Sequence, residues 1–142
     1  MSDGLTIDVD VQLKDALKQF DEKTVQKMLN TAMVSGALLI ANEWKRLAPV
    51  ETGTYRRSIH IAGHTNLTPD FQGEAIPESG DPLVVEIGTK ITEPPYPEFL
   101  EYGTSGMSPR PSAGPAVDAA GGQALKEIGA AFAQLLAKAI KP

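Results

Sequence analysis

The sequence has 142 residues, and we predict that residues 1–142 form one domain of ordinary size. With 13 basic and 18 acidic residues the net charge is −5, which argues against a strongly basic nucleic-acid-binding protein. The sequence has no cysteine, which excludes disulfides, thiolate metal sites and thiol catalysis. No apolar run approaches the roughly 20 residues of a membrane-spanning helix.

The first predicted element is a short strand near the N-terminus. Apolar and polar residues alternate from Leu5 to Val11, which is typical of a strand with one solvent-facing side. From Leu13 to Phe20 the apolar residues change to helical spacing and predict a short helix. Asp8 and Asp10 are interpreted as solvated charges on the polar side of the strand rather than as catalytic carboxylates.

A long amphipathic helix is predicted from about Glu22 to Ala48, because its apolar residues recur with a period of 3.6. Asp21 is a suitable N-cap, and Pro49 cannot extend the helix. Trp44 lies on the apolar stripe and is interpreted as a core residue rather than a binding platform. Burial on a second side is predicted by two further apolar residues, Val34 and Leu38.

The middle of the chain holds ten of the 11 prolines and is predicted to be rich in turns. A turn at Glu51–Thr54 precedes a predicted strand at Ser58–Thr65. Residues 66–82 have no usable periodicity and are predicted to form a long loop or extended arm. Leu83–Thr89 follows as a predicted well-buried strand.

The composition of the 66–82 loop suggests an assembly role. It has four carboxylates and few apolar residues, so we expect it to be mobile in a free subunit and ordered in an assembly. Phe71 and Ile76 are the expected anchors on another chain.

A final helix is predicted to begin at Pro115, because proline suits the first helical position. The expected apolar stripe of this helix comprises Val117, Gly121, Ala124, Leu125, Ile128, Phe132, Leu135 and Ala139. The predicted fold class is α+β, with a small, mostly antiparallel β-sheet packed against two long α-helices.

Neither catalysis nor a metal site is predicted. His60 and His64 would lie about 13 Å apart on a strand, too far for one ion, and are interpreted as surface or interface residues. The sequence has no nucleophile elbow, dinucleotide-binding or phosphate-loop motif. We therefore predict a protein that is not an enzyme and has no cofactor.

Arg56 and Arg57 are open to two interpretations. They form either a basic patch for carboxylates or DNA phosphates, or ordinary surface charges that pair with Glu43 and Glu51.

Three segments, taken in order, carry a family resemblance. They are Ala41–Ile59, with Leu-Ala-Pro-Val-Glu-Thr-Gly-Thr-Tyr-Arg-Arg-Ser-Ile at its end, then Val85–Thr89, and then Tyr96–Ala116, with Phe-Leu-Glu-Tyr-Gly-Thr and Arg-Pro. The chain thus resembles the neck or tail-completion proteins of long-tailed bacteriophages, related to the tenth gene product of a lambda-like phage. It departs from the family pattern at Tyr55 and Pro97, where leucine and alanine are usual.

The resemblance implies a structural virion protein that forms a ring, with six copies expected, at the head–tail junction or the top of the tail. It would join or terminate the tail tube, and DNA would pass through its lumen as cargo. The implied partners are further copies of itself, a head-completion protein, a tail terminator and the tail-tube protein, with no membrane. Assembly would occur in the host bacterial cytoplasm. Two alternatives stay open: a small hydrolase or metal-dependent enzyme, and a repeating tail-tube subunit.

The candidate interface and motif residues combine the family motifs with the two loop anchors. Glycines 53 and 103 are expected to permit reversals with positive φ. Glu101 and Arg110 are candidates for a charge pair. The full set is Pro49, Thr52, Gly53, Arg56, Phe71, Ile76, Glu101, Tyr102, Gly103, Thr104, Arg110 and Pro111.

Overall fold

The computed structural model describes residues 18, 20–48, 53–90, 101–103, 105–106, 108 and 111–140. The predicted strand at Leu5–Val11 and nearly all of the predicted short helix that follows lie outside these residues. Four candidate residues also lie outside them: Pro49, Thr52, Thr104 and Arg110.

The described chain has an α+β fold, which confirms the predicted class. Two long helices pack against each other, and a two-stranded antiparallel sheet lies against the first of them. None of the described helices has the length and apolar character needed to cross a membrane. In chain order the described elements are α1 (Glu22–Leu47), α2 (Thr54–Ser58), β1 (His60–Ile61), a 3-10 turn (Thr65–Leu67), β2 (Ile87–Gly88) and α3 (Ala113–Ala139).

Helix α1 confirms the predicted long helix and both of its ends. The Asp21 carboxylate accepts the Thr24 N–H at 2.8 Å, which satisfies one free donor of the first turn. Ala48 ends the helix in an extended conformation (φ −65°, ψ 142°), as expected for a residue before proline. Val34 is buried, so the helix is covered on a second side as predicted.

Helix α3 begins earlier, and faces its neighbour differently, than the sequence predicts. Pro115 is its third residue rather than its first. Val117 and Leu125 of the predicted stripe are 53% and 38% exposed, whereas Ala124 of the same stripe is buried, as is Ala116, which the stripe did not include. The reason is close approach: a Cβ on Gly36 would lie 2.7 Å from the Ala124 carbonyl oxygen, so small residues face α1.

Both predicted strands are shorter in the structure. His60 pairs with Gly88 and Ile61 with Ile87, and a turn with Gly63 at φ 79° ends β1. The residues predicted as the start of a buried strand at Leu83–Thr89 form a turn instead. The Asp81 carboxylate accepts the Leu83 N–H and the Asp81 carbonyl accepts the Val84 N–H, so both apolar side chains are exposed.

The predicted strand at Ser58–Thr65 also needs correction, whereas residues 51 and 52 of the predicted turn lie outside the described residues. Helix α2 occupies Thr54–Ser58. Its first turn closes through the Arg57 N–H, which donates to the Gly53 carbonyl at 2.9 Å. The chain is therefore extended only from Ile59 to Ile61 before the next turn. The buried apolar core lies between α1, α2 and β1 and comprises Val34, Ala37, Ala41, Ala48, Tyr55, Ile59 and Ile61.

The 66–82 loop lacks regular structure beyond the 3-10 turn at its start, as predicted, and it packs on its own chain. Three of its four carboxylates lie beside basic groups: Asp70 pairs with Lys45, Glu74 lies 3.4 Å from Lys90, and Glu78 lies 3.6 Å from His64. At its end, the Pro82 carbonyl accepts a hydrogen bond from the Asn30 amide at 2.8 Å. Its expected mobility in a free subunit stays a prediction.

Candidate functional site

Side chains from the first and third motif segments meet in one hydrogen-bonded group, which we call the motif cluster: Trp44, Tyr55, Glu101 and Ser112. The Trp44 indole N–H lies 3.0 Å from the Tyr55 hydroxyl and 3.1 Å from the Ser112 hydroxyl, and the two hydroxyls are 3.3 Å apart. The Trp44 and Tyr55 rings meet edge to face at 6.4 Å. The cluster thus joins the end of α1, helix α2 and the start of α3.

Glu101 supplies the N-terminal cap of α3 from a distance in sequence. One carboxylate oxygen accepts the N–H groups of Ser112 and Ala113 at 3.0 and 3.1 Å, and the other accepts that of Gly114 at 3.2 Å. The first turn of α3 has no acidic residue, and the Ser112 side chain makes no capping bond. Glu101 therefore provides both the missing acceptors and the negative charge that a helix N-terminus favours.

The environment of Glu101 keeps its carboxyl group ionised. Burial raises its pKa, but the backbone N–H groups of Ser112, Gly114 and Ala113 together lower it further, so the net pKa is below its ordinary value. Sequence reasoning assigned Glu101 to a pair with Arg110, which lies outside the described residues, so that pair stays a prediction. The missing capping acceptor in the first turn of α3 was the signal that could have identified the cap.

The two motif glycines occupy the left-handed region that the sequence predicts for them. Gly53 has φ 74° and begins α2, and Gly103 has φ 78° directly after Glu101 and Tyr102. A Cβ on Gly53 would also lie 2.6 Å from an Arg57 guanidinium nitrogen. Both positions therefore favour glycine on conformational grounds.

Tyr102 is the most exposed large apolar side chain of the described chain, at 79%. It adjoins Glu101, so the cap of α3 fixes where this ring is presented. Pro111 is also exposed and lies just before α3. The motif cluster thus has a buried, structural side and an exposed aromatic side.

Glu43 does not pair with Arg56 or Arg57 as the second interpretation supposed, and Glu51, the other carboxylate of that interpretation, lies outside the described residues. Glu43 binds Arg46, with contacts of 2.5 and 2.8 Å, rather than Arg56 or Arg57. Arg57 donates to the Gln72 side chain at 3.2 Å, and Arg56 is exposed. The reason is spacing, because residues three apart on α1 are neighbours on the helix surface.

His60 is fully buried, which corrects its interpretation as a surface or interface residue. Its Nε2 accepts the Ile76 N–H at 2.8 Å, so its proton is on Nδ1, which donates to the Ser58 carbonyl at 2.8 Å. Nε2 therefore holds the 66–82 loop, while Nδ1 ties the ring to the end of α2. His64 is only partly buried and lies near Glu78, and no group of three potential metal ligands occurs among the described residues.

The two predicted loop anchors contact their own chain. The Phe71 ring lies 4.6 Å from the His60 ring, and the Ile76 side chain covers Gly88 so closely that a Cβ there would be 2.7 Å away. Both side chains are partly buried in this way. Their use as anchors on another chain stays a prediction.

A comparison with protein families matches residues 11–103 to the HK97-gp10-like family, described as a bacteriophage HK97 gp10 tail component. The match spans about two thirds of the sequence and includes α1, α2, both strands and the Glu101–Gly103 motif. No curated protein and no solved structure matches the chain.

Proposed function

Because the chain belongs to the HK97-gp10-like family of bacteriophage tail components, we propose that it forms a closed ring of six copies at the head–tail junction. As a tail component it is a structural protein of the virion and associates with other virion proteins. The proposed ring joins or terminates the tail tube and lets DNA pass. The family match is the observation that carries this proposal.

Self-association is supported by apolar side chains exposed at two separate places. A closed ring needs two different faces on each subunit, since each copy contacts its two neighbours through unlike surfaces. Tyr102 lies near the end of α1 that carries Trp44. Leu83 and Val84 lie near Asn30, whose side chain donates a hydrogen bond to the carbonyl of the preceding Pro82. At 1.5 Å per residue, Asn30 and Trp44 are about 21 Å apart along the helix.

Passage of DNA is compatible with the charge of the chain. A dense basic lining would hold DNA through counterion release and oppose sliding. The net charge is −5, and the 66–82 loop adds carboxylates to the surface. We expect weak binding to duplex DNA, and nanomolar, steeply salt-dependent binding by the purified protein would contradict this part of the proposal.

The 66–82 loop is proposed to dock on an adjoining ring, formed by the head-completion protein, the tail terminator or the tail-tube protein. Ala75 and Pro77 are exposed beside the partly buried Ile76, so the loop presents an apolar edge without unfolding. Ala75→Asp should leave the subunit folded and cause heads and tails to accumulate separately, while Gly80→Asn is a control, because nothing lies within 4 Å of a Cβ at Gly80. Normal joining of heads and tails in the Ala75→Asp variant would show that the loop is not part of the interface.

The ring is tested by native mass spectrometry of the purified protein and by labelling of the virion. We expect six copies in one ring, with a label at the head–tail junction. Tyr102→Glu should yield folded single subunits, while Tyr102→Phe should retain the ring. A label along the whole tail would instead favour a repeating tube subunit. A single-copy protein whose hydrolytic activity is lost on changing His60 or His64 would favour the enzyme alternative.

A further inference from the structure

An apolar groove of about 310 Å³ lies between the two long helices and the segment that ends in β2. Met33 lines it from α1, Ile87 from β2, and Val117 and Leu125 from α3. Every lining residue is apolar, and the two on α3 are large apolar side chains that are exposed to solvent. An open apolar surface of this kind marks an interaction site.

The described surface also presents a large aromatic side chain, Tyr102, at a separate place. Its ring is 79% exposed, so it does not cover the groove of its own chain. Its backbone is held by the neighbouring Glu101, whose carboxylate accepts three N–H groups at the start of α3. An aromatic side chain that is fixed in this way loses little freedom on binding, which suits it to anchor an interface.

We propose that Tyr102 of one copy inserts into the groove of the next copy around the ring. The aromatic ring packs against Val117 and Leu125, and the phenol hydroxyl stays at the open rim of the groove in contact with water. Because the side chain and the groove lie at different places on the subunit, the contact is head-to-tail. Every copy can therefore repeat it until the ring closes.

The charges beside the two surfaces favour contact between unlike surfaces. Arg56 is exposed on α2, directly after Tyr55 of the motif cluster that fixes Tyr102. Asp118 is exposed seven residues before Leu125, which places it on the same side of α3, at the rim of the groove. A basic group near Tyr102 and an acidic group beside the groove attract when two copies meet head to tail, whereas two facing grooves would bring acidic groups together.

The area of the contact favours a closed ring over a stable pair of copies. Aromatic side chains bury about 150–250 Å² each, so Tyr102 at 79% exposure can bury roughly 120–200 Å². Even with a matching area of groove, this is well below the roughly 1,000 Å² that a stable pair of proteins needs. Each copy in a ring makes the contact twice, once with Tyr102 and once with its groove, so closure supplies what a single contact lacks.

This inference rests on the proposed self-association of the chain, and it does not depend on the number of copies. The two can therefore fail separately when native mass spectrometry is combined with the crosslinking described next. Groove crosslinks in an assembly of another size would retain the contact and overturn the ring of six. Six copies without groove crosslinks would retain the ring and overturn the contact.

The first test is photo-crosslinking of the full chain with Tyr102→p-benzoylphenylalanine, which keeps an aromatic side chain at this position. Mixing with isotope-labelled unmodified protein distinguishes crosslinks between chains from those within one chain. We expect crosslinks to Val117 or Leu125 of another copy. The same probe at Gln134, an exposed residue in the second half of α3, should give none in the groove. Crosslinks only within one chain, crosslinks only outside the groove, or no crosslinks at all would overturn the proposal.

The second test is a double-mutant cycle on the concentration at which half of the subunits are assembled. Tyr102→Ala and Leu125→Arg should each raise this concentration by about 30-fold. The double variant should be no worse than either single one, because both changes remove the same contact. Gln123→Arg, on the other side of α3, is the control and should leave assembly unchanged. Effects of Tyr102→Ala and Leu125→Arg that multiply in the double variant would mean two independent contacts and overturn the proposal.

Discussion

The two long helices are held together by different physical means at two levels. Near the middle of α1, Gly36 meets Ala124 and Ile128 of α3 in an apolar contact that depends on small volume. At the end of α1, Trp44 reaches Ser112 through hydrogen bonds that depend on the direction of donors and acceptors. The first contact should therefore be sensitive to added atoms, and the second to lost partners.

The largest effect is expected at the motif cluster, from Trp44→Ala. Trp44 packs against the core and donates to both cluster hydroxyls, so its truncation removes apolar contacts and the indole hydrogen bonds to Tyr55 and Ser112. We expect a loss of about 3–5 kcal/mol in the free energy of unfolding, measured with denaturant. A loss below about 1 kcal/mol would assign Trp44 to a subunit interface instead.

The matched control is Trp44→Phe, which keeps an aromatic ring but removes the indole N–H. If hydrogen bonding defines this end of the helix pair, its cost should still be about 1–2 kcal/mol. A cost near zero would make the cluster an apolar contact like the one at Gly36 and erase the distinction between the two levels.

The next effect tests the apolar level, through Gly36→Ala. A Cβ there would lie 2.5 Å from Ile128 Cγ1 and 2.7 Å from the Ala124 carbonyl oxygen, so the helices must move apart. We expect a loss of about 1–3 kcal/mol in the same measurement. Gly122→Ala is the control, because nothing lies near its Cβ position, and it should stabilise by about 0.5–1 kcal/mol. Equal stabilisation by Gly36→Ala and Gly122→Ala would contradict a close approach of the two helices at Gly36.

The sequence predicted the apolar contact between the two long helices better than the hydrogen-bonded contact. Helical periodicity located α1 and its caps because every signal lies within a few residues of its effect. It also located α3 and placed Ala124 on its apolar stripe, but it did not predict that Ala116 is buried while Val117 and Leu125 are exposed. Which residues of α3 are buried depends on the volume opposite, at Gly36, which is 88 residues away from Ala124. Periodicity within one helix carries no information about such a partner.

The sequence identified residues of the hydrogen-bonded contact only as members of separate motifs. Trp44, Tyr55 and Glu101 were each noted, but their convergence on Ser112 follows from the antiparallel packing of α1 and α3. The shortened strands have local causes that were overlooked. The carboxylate of Asp81 and its carbonyl bind the N–H groups of Leu83 and Val84, and this turn competes with the strand that the apolar run predicts.

The contribution of Glu101 to stability at the hydrogen-bonded contact should depend on pH. Its pKa in the folded protein is lowered, so the carboxylate stabilises the fold above its ordinary pKa of 4.5, and this is lost as the pH falls through the folded value. Glu101→Gln should cost about 1–2 kcal/mol at pH 7, because an amide cannot accept all three N–H groups.

The measurement is denaturant unfolding of Glu101→Gln and the unmodified protein at pH 7 and pH 3.5. The difference between them should shrink at the lower pH, because pH 3.5 lies below the ordinary pKa of 4.5 and the stabilisation by the carboxylate decreases there. Glu86→Gln, at an exposed side chain, is the control and should show little difference at either pH. A Glu101→Gln cost that is the same at both pH values would mean that shape rather than charge makes the cap.

The smallest effect is expected where the loop attaches to α1, at the ion pair of Lys45 and Asp70. The Lys45 side chain is 11% exposed and that of Asp70 is 44% exposed, so water reaches the carboxylate and screens the pair. The Lys45 hydrogen bond lowers the Asp70 pKa despite partial burial, so the stabilisation is present at neutral pH and fades below about pH 3.8.

A double-mutant cycle with Asp70→Asn and Lys45→Met should give a coupling of about 0.5–1 kcal/mol at pH 7. Because screening weakens exposed pairs, the coupling should fall further in 1 M salt. A coupling above about 2 kcal/mol that does not respond to salt would make this contact a dry, directional one and place it with the motif cluster.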